Sequence, residues 1–175
     1  MAYNKGNKQN KNFVIYTSSV LHRTVTVDMF SVGKNINAIL HGILTNKYEG
    51  RCSVEGYIKP NSIKIVETSS GLVVGNKVEF EVVFQCLVCF PVEGMEITCV
   101  ARNITKAGIR CDSIESPSPL IVFIARDHHY SNDAFASIKE NMQIQVKVIG
   151  QRFELNDTQI SIIGELVSNE LNIRK

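Results

Sequence analysis

Hydrophobic residues follow a helical period in one short segment of an otherwise strand-like chain. The apolar positions between residues 36 and 44 recur at intervals of three and four: Ile36, Ile39, Leu40, Ile43 and Leu44. This spacing places them in a single stripe along a helix of about three turns. The pattern therefore predicts one amphipathic helix that ends near residue 46.

Strand-like runs surround this helix. Before it, residues 13–16 and 22–27 are apolar or β-branched and predict a first strand with an extension. After it, five further strands are predicted at residues 49–52, 56–59, 63–68, 72–74 and 78–90. A strand, a helix and more strands predict an α+β unit in the first half of the chain.

The second half has strand patterns with very little helix. Strands are predicted at residues 96–102, 108–111, 120–125, 143–153 and 159–166, and the polar residues 127–141 contain one short helix. Five closely spaced strands favour a small closed barrel of the OB type. The predicted organisation is a tail at residues 1–12, a domain at 13–84 and a barrel domain at 85–175.

Composition and charge agree with a globular protein of two small domains. The chain has 175 residues, of which 44% are hydrophobic and 21% charged, and no apolar run reaches the length of a membrane span. We expect no membrane contact and no secretory signal, and a flexible basic tail at residues 1–12. Residues 1–84 carry ten basic and six acidic side chains, whereas residues 85–175 carry nine and eleven. Any nucleic-acid contact would therefore come from a local patch.

The five cysteines are predicted to be free thiols in a reducing compartment. Four of them could in principle form a zinc-stabilised interaction module: Cys86, Cys89, Cys99 and Cys111. Residues three apart in a strand point to opposite faces, so the Cys86–Cys89 pair cannot chelate without a turn between them. Buried thiols are the favoured interpretation, and zinc is the alternative.

Motifs of enzymes are missing from the sequence. The chain has no P-loop, no glycine-rich dinucleotide motif and no nucleophile elbow. His128 and His129, with Asp127 and Asp133 nearby, are more typical of a polar loop than of an active site. We predict a non-catalytic protein without a cofactor.

A nucleic-acid surface on the barrel is the remaining candidate. OB-type barrels bind single strands with cations and aromatic side chains. The candidate residues are Lys106, Arg110, Arg126, His128, Lys147 and Arg152. Three further side chains could serve as stacking platforms, namely Phe123, His129 and Tyr130, and Phe123 is interpreted as core because it lies inside an apolar run. An ordinary solvated face is an equal alternative for the basic residues.

Several segments together resemble a known family. They are residues 37–56 (NAILHGILTNKYEGRCSVEG), 82–94 (VVFQCLVCFPVEG), 103–109 (NITKAGI), 121–126 (IVFIAR) and 146–166, which contains VKVIGQR and IIGEL. In order and spacing they resemble the seventh-subunit stalk protein of DNA-directed RNA polymerase, a family with archaeal and eukaryotic members. The resemblance covers nearly all of residues 13–167.

The resemblance implies an N-terminal truncated RNP-like domain followed by an OB-type RNA-binding barrel. It implies docking on the polymerase core near the clamp, contact with nascent single-stranded RNA and a role in transcription initiation. In most members a smaller partner chain binds along the side. The divergence and the CLVC sequence are similar to stalk proteins of large cytoplasmic DNA viruses. A viral member is expected in the host cytoplasm or the virion, and a cellular member in the nucleus.

The same resemblance places a core-docking tip within residues 49–60. Its predicted residues are Glu49, Gly50, Cys52, Gly56, Tyr57 and Ile58. The two glycines would permit close backbone approach, and Tyr57 and Ile58 would be anchors in the complex. Ordinary strand core is the alternative for Tyr57 and Ile58. A free-standing OB-type RNA-binding protein is the alternative for the whole chain, although Ile109 follows Gly108 where the family often has an aromatic residue.

Overall fold

The computed structural model describes residues 15–129 and 133–167. In these ranges the chain forms a sheet with one helix packed on it, followed by a five-stranded barrel. None of the helices in the described part is both long and apolar enough to cross a membrane. The predicted tail at residues 1–12 and the candidate Tyr130 lie outside the described residues.

The first sheet is organised around its longest strands. Its elements are β1 (Tyr16–Asp28), α1 (Ile36–Tyr48), β2 (Cys52–Ser53), β3 (Gly56–Ile58), β4 (Lys64–Thr68), β5 (Leu72–Val74) and β6 (Lys77–Cys89). A 3₁₀ turn, Met29–Ser31, connects β1 towards α1. β1 pairs with β6 in an unbroken antiparallel register from Tyr16 opposite Cys89 to Asp28 opposite Lys77. The other edge of β6 pairs in turn with β5, β4 and β3, and β2 extends the sheet beyond β3.

Helix α1 covers one face of this sheet. Leu40 and Leu44, from the predicted apolar stripe, are fully buried and share a hydrophobic cluster with Ile58, Val82 and Phe84 of the strands. Burying each of these leucines contributes about 1.5–3 kcal/mol relative to an exposed position. The helical period of the sequence is therefore explained by one buried face.

The barrel has the topology expected of an OB fold. Its elements are β7 (Glu96–Ile104), β8 (Gly108–Ser113), β9 (Leu120–Ala125), a 3₁₀ turn (Arg126–His129), α2 (Asp133–Ala136), β10 (Gln143–Arg152) and β11 (Ile160–Leu166). The closed order is β10-β11-β9-β8-β7, in which only β9 and β11 are parallel. A three-stranded meander, a helical insert and a final hairpin produce this arrangement. The predicted five-stranded barrel is confirmed.

The sheet and the barrel share a hydrophobic cluster. Tyr16, Cys52, Tyr57 and Cys89 of the sheet belong to the cluster that fills the barrel, together with Leu120 and other barrel residues. The opposite face of the same strands belongs to the helix-side cluster. The sheet is thus buried on both faces where it meets the barrel.

The observed strands correct one sequence expectation, whereas the division into two domains stays a prediction. The first strand was predicted in two pieces, but β1 is continuous because its alternate residues Leu21, Val25 and Val27 all reach the helix-side cluster. The predicted boundary at residues 84 and 85 falls inside β6, which continues to Cys89. The strands of the sheet and the barrel are separated instead by residues 90–95. The first unit is a helix on an antiparallel sheet, and its RNP-like character stays a prediction.

Candidate docking and nucleic-acid surfaces

Glu49, the first residue of the predicted docking tip, holds a turn of its own chain. Its two carboxylate oxygens accept hydrogen bonds from the backbone N–H groups of Asn61, Ser62 and Ile63, at 2.8, 3.0 and 2.9 Å. The loop after β3 therefore has its otherwise unpaired backbone donors satisfied. Its position immediately after α1 makes Glu49 a structural link between helix and sheet.

A second carboxylate lies in the turn between β2 and β3. Both carboxylate oxygens of Glu55 accept hydrogen bonds from Nη2 of Arg23 on β1, at 2.6 and 2.7 Å, and one of them also accepts from the Ser53 hydroxyl at 2.9 Å. Burial acts to raise the pKa of Glu55, but the hydrogen bonds from Arg23 and Ser53 outweigh it and hold that pKa below its usual value. The turn is thus tied to β1 by a charge-assisted contact.

Tyr57 and Ile58 are already buried in the free chain. They retain 2% and 0% of their exposure and point to opposite faces of the sheet, Tyr57 towards the barrel and Ile58 towards α1. This is the alternation of a strand buried on both faces. The alternative interpretation of Tyr57 and Ile58 as strand core thus fits the free chain, and replacing both with alanine would empty both cores.

Gly56 is needed for packing inside this chain. A Cβ atom at Gly56 would collide with the carbonyl oxygen of Cys89 on the neighbouring strand, and the residue has φ +123°. Gly50 also has a positive φ, +71°, and its N–H donates to the Ile58 carbonyl at 2.9 Å. The close backbone approach predicted for Gly56 thus occurs between β3 and β6.

The barrel forms hydrogen bonds with the edge of the predicted docking tip, residues 49–60. Cys52 donates its N–H to the Asp157 carbonyl at 2.7 Å, and its own carbonyl accepts from the Asn156 N–H at 2.9 Å. Nearby, the Lys59 ammonium lies 3.0 Å from a Glu115 carboxylate oxygen and 4.5 Å from the centre of the Tyr16 ring. Main-chain bonds and an ion pair therefore fix the barrel loops against β2 and β3.

The cysteine side chains are buried and poorly ionised. Burial is the main cause that raises the pKa of Cys52 and Cys86 to about 11, and of Cys89, Cys99 and Cys111 to about 12. Cys86 belongs to the helix-side cluster and Cys89 to the barrel-side cluster, as expected for strand residues three apart. Within residues 15–129 and 133–167, no three His, Cys, Asp or Glu side chains form a group suited to a metal ion.

An apolar surface that was not predicted lies at the end of the sheet remote from the barrel. We call it the distal apolar patch; its residues are Met29, Phe30, Val32, Leu72, Val73 and Val74. Phe30 is 99% exposed and Leu72 is 65% exposed. The patch combines residues 29–32 with strand β5. These two segments are neighbours, because the Met29 N–H donates to the Asn76 carbonyl at 3.1 Å in the turn that joins β5 to β6. The short apolar run of β5 could have revealed the patch, but it is interpreted as core when only its hydropathy is considered.

The candidate cations of the barrel divide into two groups. Lys106, Arg110 and Arg126 lie near the β7–β8 loop, and none has a carboxylate within ion-pair distance among the described residues. Lys147 lies in register with Glu165 on one neighbouring strand and Glu96 on the other. Arg152 forms a 3.1 Å ion pair with Glu154 at the opposite end of the barrel. The six predicted residues therefore do not form one continuous track.

The aromatic candidates are placed differently from expectation. Phe123 was interpreted as core, but it points outward from β9 with 37% of its surface exposed, while its neighbours Val122 and Ile124 point inward. His128 is exposed. His129 is buried, with its ring nitrogens 2.9 Å from the Ala125 carbonyl oxygen and 2.9 Å from the Leu166 backbone nitrogen, which donates to it. His129 is thus a structural side chain.

A comparison with known proteins finds a similar viral protein. The chain is similar to a protein of Acanthamoeba polyphaga mimivirus named "Putative DNA-directed RNA polymerase subunit". The two are 26% identical over 125 residues, which cover 62% of this chain and 61% of the mimivirus protein. The chain thus matches about three fifths of the length of that relative. No protein-family model matches the chain.

Proposed function

We propose that this protein is a non-catalytic subunit of a DNA-directed RNA polymerase. The observation that carries the proposal is its likeness to the mimivirus protein, whose name is that of such a component. The order of a sheet unit and an OB-type barrel is compatible with the stalk architecture that the sequence resemblance implies. In this role the sheet unit joins the polymerase core near the clamp, the barrel contacts nascent RNA, and the protein acts in transcription initiation.

The distal apolar patch is the surface we assign to core docking. It lies on the sheet unit, at the end that the barrel leaves free, and it contains the most exposed aromatic side chain described, Phe30. Exposed apolar patches and aromatic anchors are typical of protein interfaces. Residues 49–58 contribute to docking indirectly in this proposal, because they fix the sheet, the helix and the barrel relative to one another.

Affinity purification of the tagged full chain from cells that contain its cognate polymerase tests the proposal. We expect the large polymerase subunits to co-purify, with any smaller stalk partner as an additional small chain. A Phe30→Ser, Leu72→Ser variant should reduce the yield of these subunits about tenfold or more, because losing an interface anchor costs about 2 kcal/mol or more.

A matched control is available on the barrel. Leu155 and Ile163 are 64% and 51% exposed, so a Leu155→Ser, Ile163→Ser variant removes similar apolar surface far from the patch. It should retain wild-type co-purification. Purification of the wild-type chain without polymerase subunits would contradict the proposal, and equal losses in both double variants would contradict the assignment of the patch.

A free-standing RNA-binding protein is the second candidate. The observation that favours it is the OB-type barrel with three cations that lack carboxylate partners in the described part. Such a protein would bind single-stranded RNA and purify without polymerase subunits. The same purification therefore separates the two functions.

A further inference from the structure

We propose that Phe123 is a platform on which a base of single-stranded RNA stacks, flanked by cations that contact the adjoining phosphates. The inference rests on the RNA contact in the proposed function and assigns it to one face of the barrel. That face is formed by β8 and β9, the strands on which OB barrels bind oligonucleotides. Lys147 and Arg152 are not part of this face, because they lie elsewhere on the barrel.

The position of the Phe123 ring is set by a glycine. Gly108 lies on the neighbouring strand, and a Cβ atom built there would meet the Cζ atom of Phe123 at 2.9 Å. The ring therefore extends across β8 over the space that a side chain would fill, instead of standing free in solvent. An aromatic ring fixed in this way loses little conformational freedom when a base stacks on it.

One cation lies opposite the ring and two more lie at the end of the same strands, and none of the three has an ion pair in the described part of the chain. Arg110 is directly opposite Phe123 in the β8–β9 register, is exposed, and has no ion pair in the described part of the chain. At the end of the same strands, Lys106 and Arg126 line an open pocket of about 460 Å³ with Ile104 and Thr105. An exposed ring with unpaired cations beside it is suited to stacking on bases and pairing with phosphates.

The arrangement favours a single strand over a duplex. A base can stack on a side chain only when its own face is free, which is the case in single strands, loops and bulges. On β8, the next outward residue after Arg110 is Asp112, whose carboxylate lies 3.5 Å from Arg102 and is paired with it. The side chain directly opposite Phe123 is thus a cation, Arg110, although residues 85–175 as a whole are net acidic.

The decisive experiment compares binding to two oligomers by fluorescence anisotropy with the full chain. One is oligouridine RNA of about 12 nucleotides, and the other has the same ribose–phosphate backbone without bases. Phe123→Leu keeps an apolar side chain over Gly108 but removes the aromatic face. It should weaken oligouridine binding about five- to 150-fold and leave binding of the abasic oligomer unchanged. Phe123→Tyr should bind both oligomers like the wild type.

The cations provide the matched comparison. Arg110→Gln should weaken binding of both oligomers and reduce the slope of log affinity against log salt by about 0.7, the value for one phosphate contact on a single strand. Lys147→Gln and Arg152→Gln are the controls and should leave both affinities unchanged. Wild-type oligouridine affinity in Phe123→Leu, or equal losses for both oligomers, would overturn the inference. If the wild-type chain binds neither oligomer, the inference fails while polymerase co-purification still decides the proposed function.

Discussion

At the residue scale, the contact between Arg23 and Glu55 makes a pH-dependent contribution to stability. The folded-state pKa of Glu55 is lowered, so its contribution is present above the unfolded pKa of about 4.3 and is lost as the pH falls through the folded value. Glu55→Gln should lower the free energy of unfolding by about 1–2 kcal/mol at pH 7, since it removes a charged acceptor from Arg23.

Urea unfolding of both proteins at neutral and acidic pH checks this expectation. The difference between wild type and Glu55→Gln should shrink as the pH falls below about 4.3, because the wild-type carboxylate becomes protonated as well. Glu79→Gln removes another partly exposed carboxylate of the same sheet and serves as the control. A difference of constant size across the pH range would show that the charge of Glu55 is unimportant.

Single residues are also where the sequence is least informative. Phe123 lies in the run LIVFIA, which has the composition of a core strand, yet every second residue of that strand must point out of the barrel. Tyr57 and Ile58 are residue types that often anchor interfaces, yet the helix and the barrel cover the two faces of β3 on which they lie. Composition indicates the strand, and only the register of neighbouring strands shows which side is covered.

At the scale of elements, Glu49 connects the end of α1 to the loop after β3. Glu49→Gln should lower the free energy of unfolding by about 1–3 kcal/mol, because one carboxylate oxygen that accepts backbone N–H groups becomes an amide donor. Hydrogen exchange should show faster exchange at Asn61, Ser62 and Ile63 in the variant.

Glu67→Gln on β4 is the matched control, since the Glu67 side chain is exposed and its carboxylate has no hydrogen bond in the described part of the chain. It should leave both the free energy of unfolding and the exchange of residues 61–63 unchanged. Wild-type exchange rates at those amides in Glu49→Gln would mean that the turn is held by other contacts.

Elements with a strong local period were predictable, and those defined by long-range pairing were not. Helix α1 contains the whole predicted stripe and ends at Tyr48, two residues after the predicted end, because its apolar period is local to the sequence. The five barrel strands likewise follow from alternation. The continuity of β1 was missed because it depends on thirteen pairings with β6, between residues about 50 to 70 positions apart, which no local pattern records.

At the scale of the whole molecule, the sheet and the barrel share one core. The row formed by Cys52, Tyr57, Cys89 and Tyr16 lies in adjacent strands and packs against the residues that fill the barrel. In the proposed function, this shared cluster would hold the docking surface at one end fixed relative to the RNA surface at the other. The distal apolar patch and the Phe123 face would otherwise be free to move independently.

Unfolding of the two units is therefore expected to be coupled, and Tyr57→Ala tests the coupling. Removing this buried ring should lower the free energy of unfolding by about 3–5 kcal/mol. Hydrogen exchange followed by mass spectrometry should show reduced amide protection in peptides from β6 and from β9 alike, because both units depend on the cluster that Tyr57 completes. Val54→Ala, at an exposed position in the adjacent turn, is the control. It should change neither the free energy of unfolding nor the amide protection of these peptides. Normal protection of the β9 peptides in Tyr57→Ala would show that the barrel folds independently, and the rigid connection between the two surfaces would then be refuted.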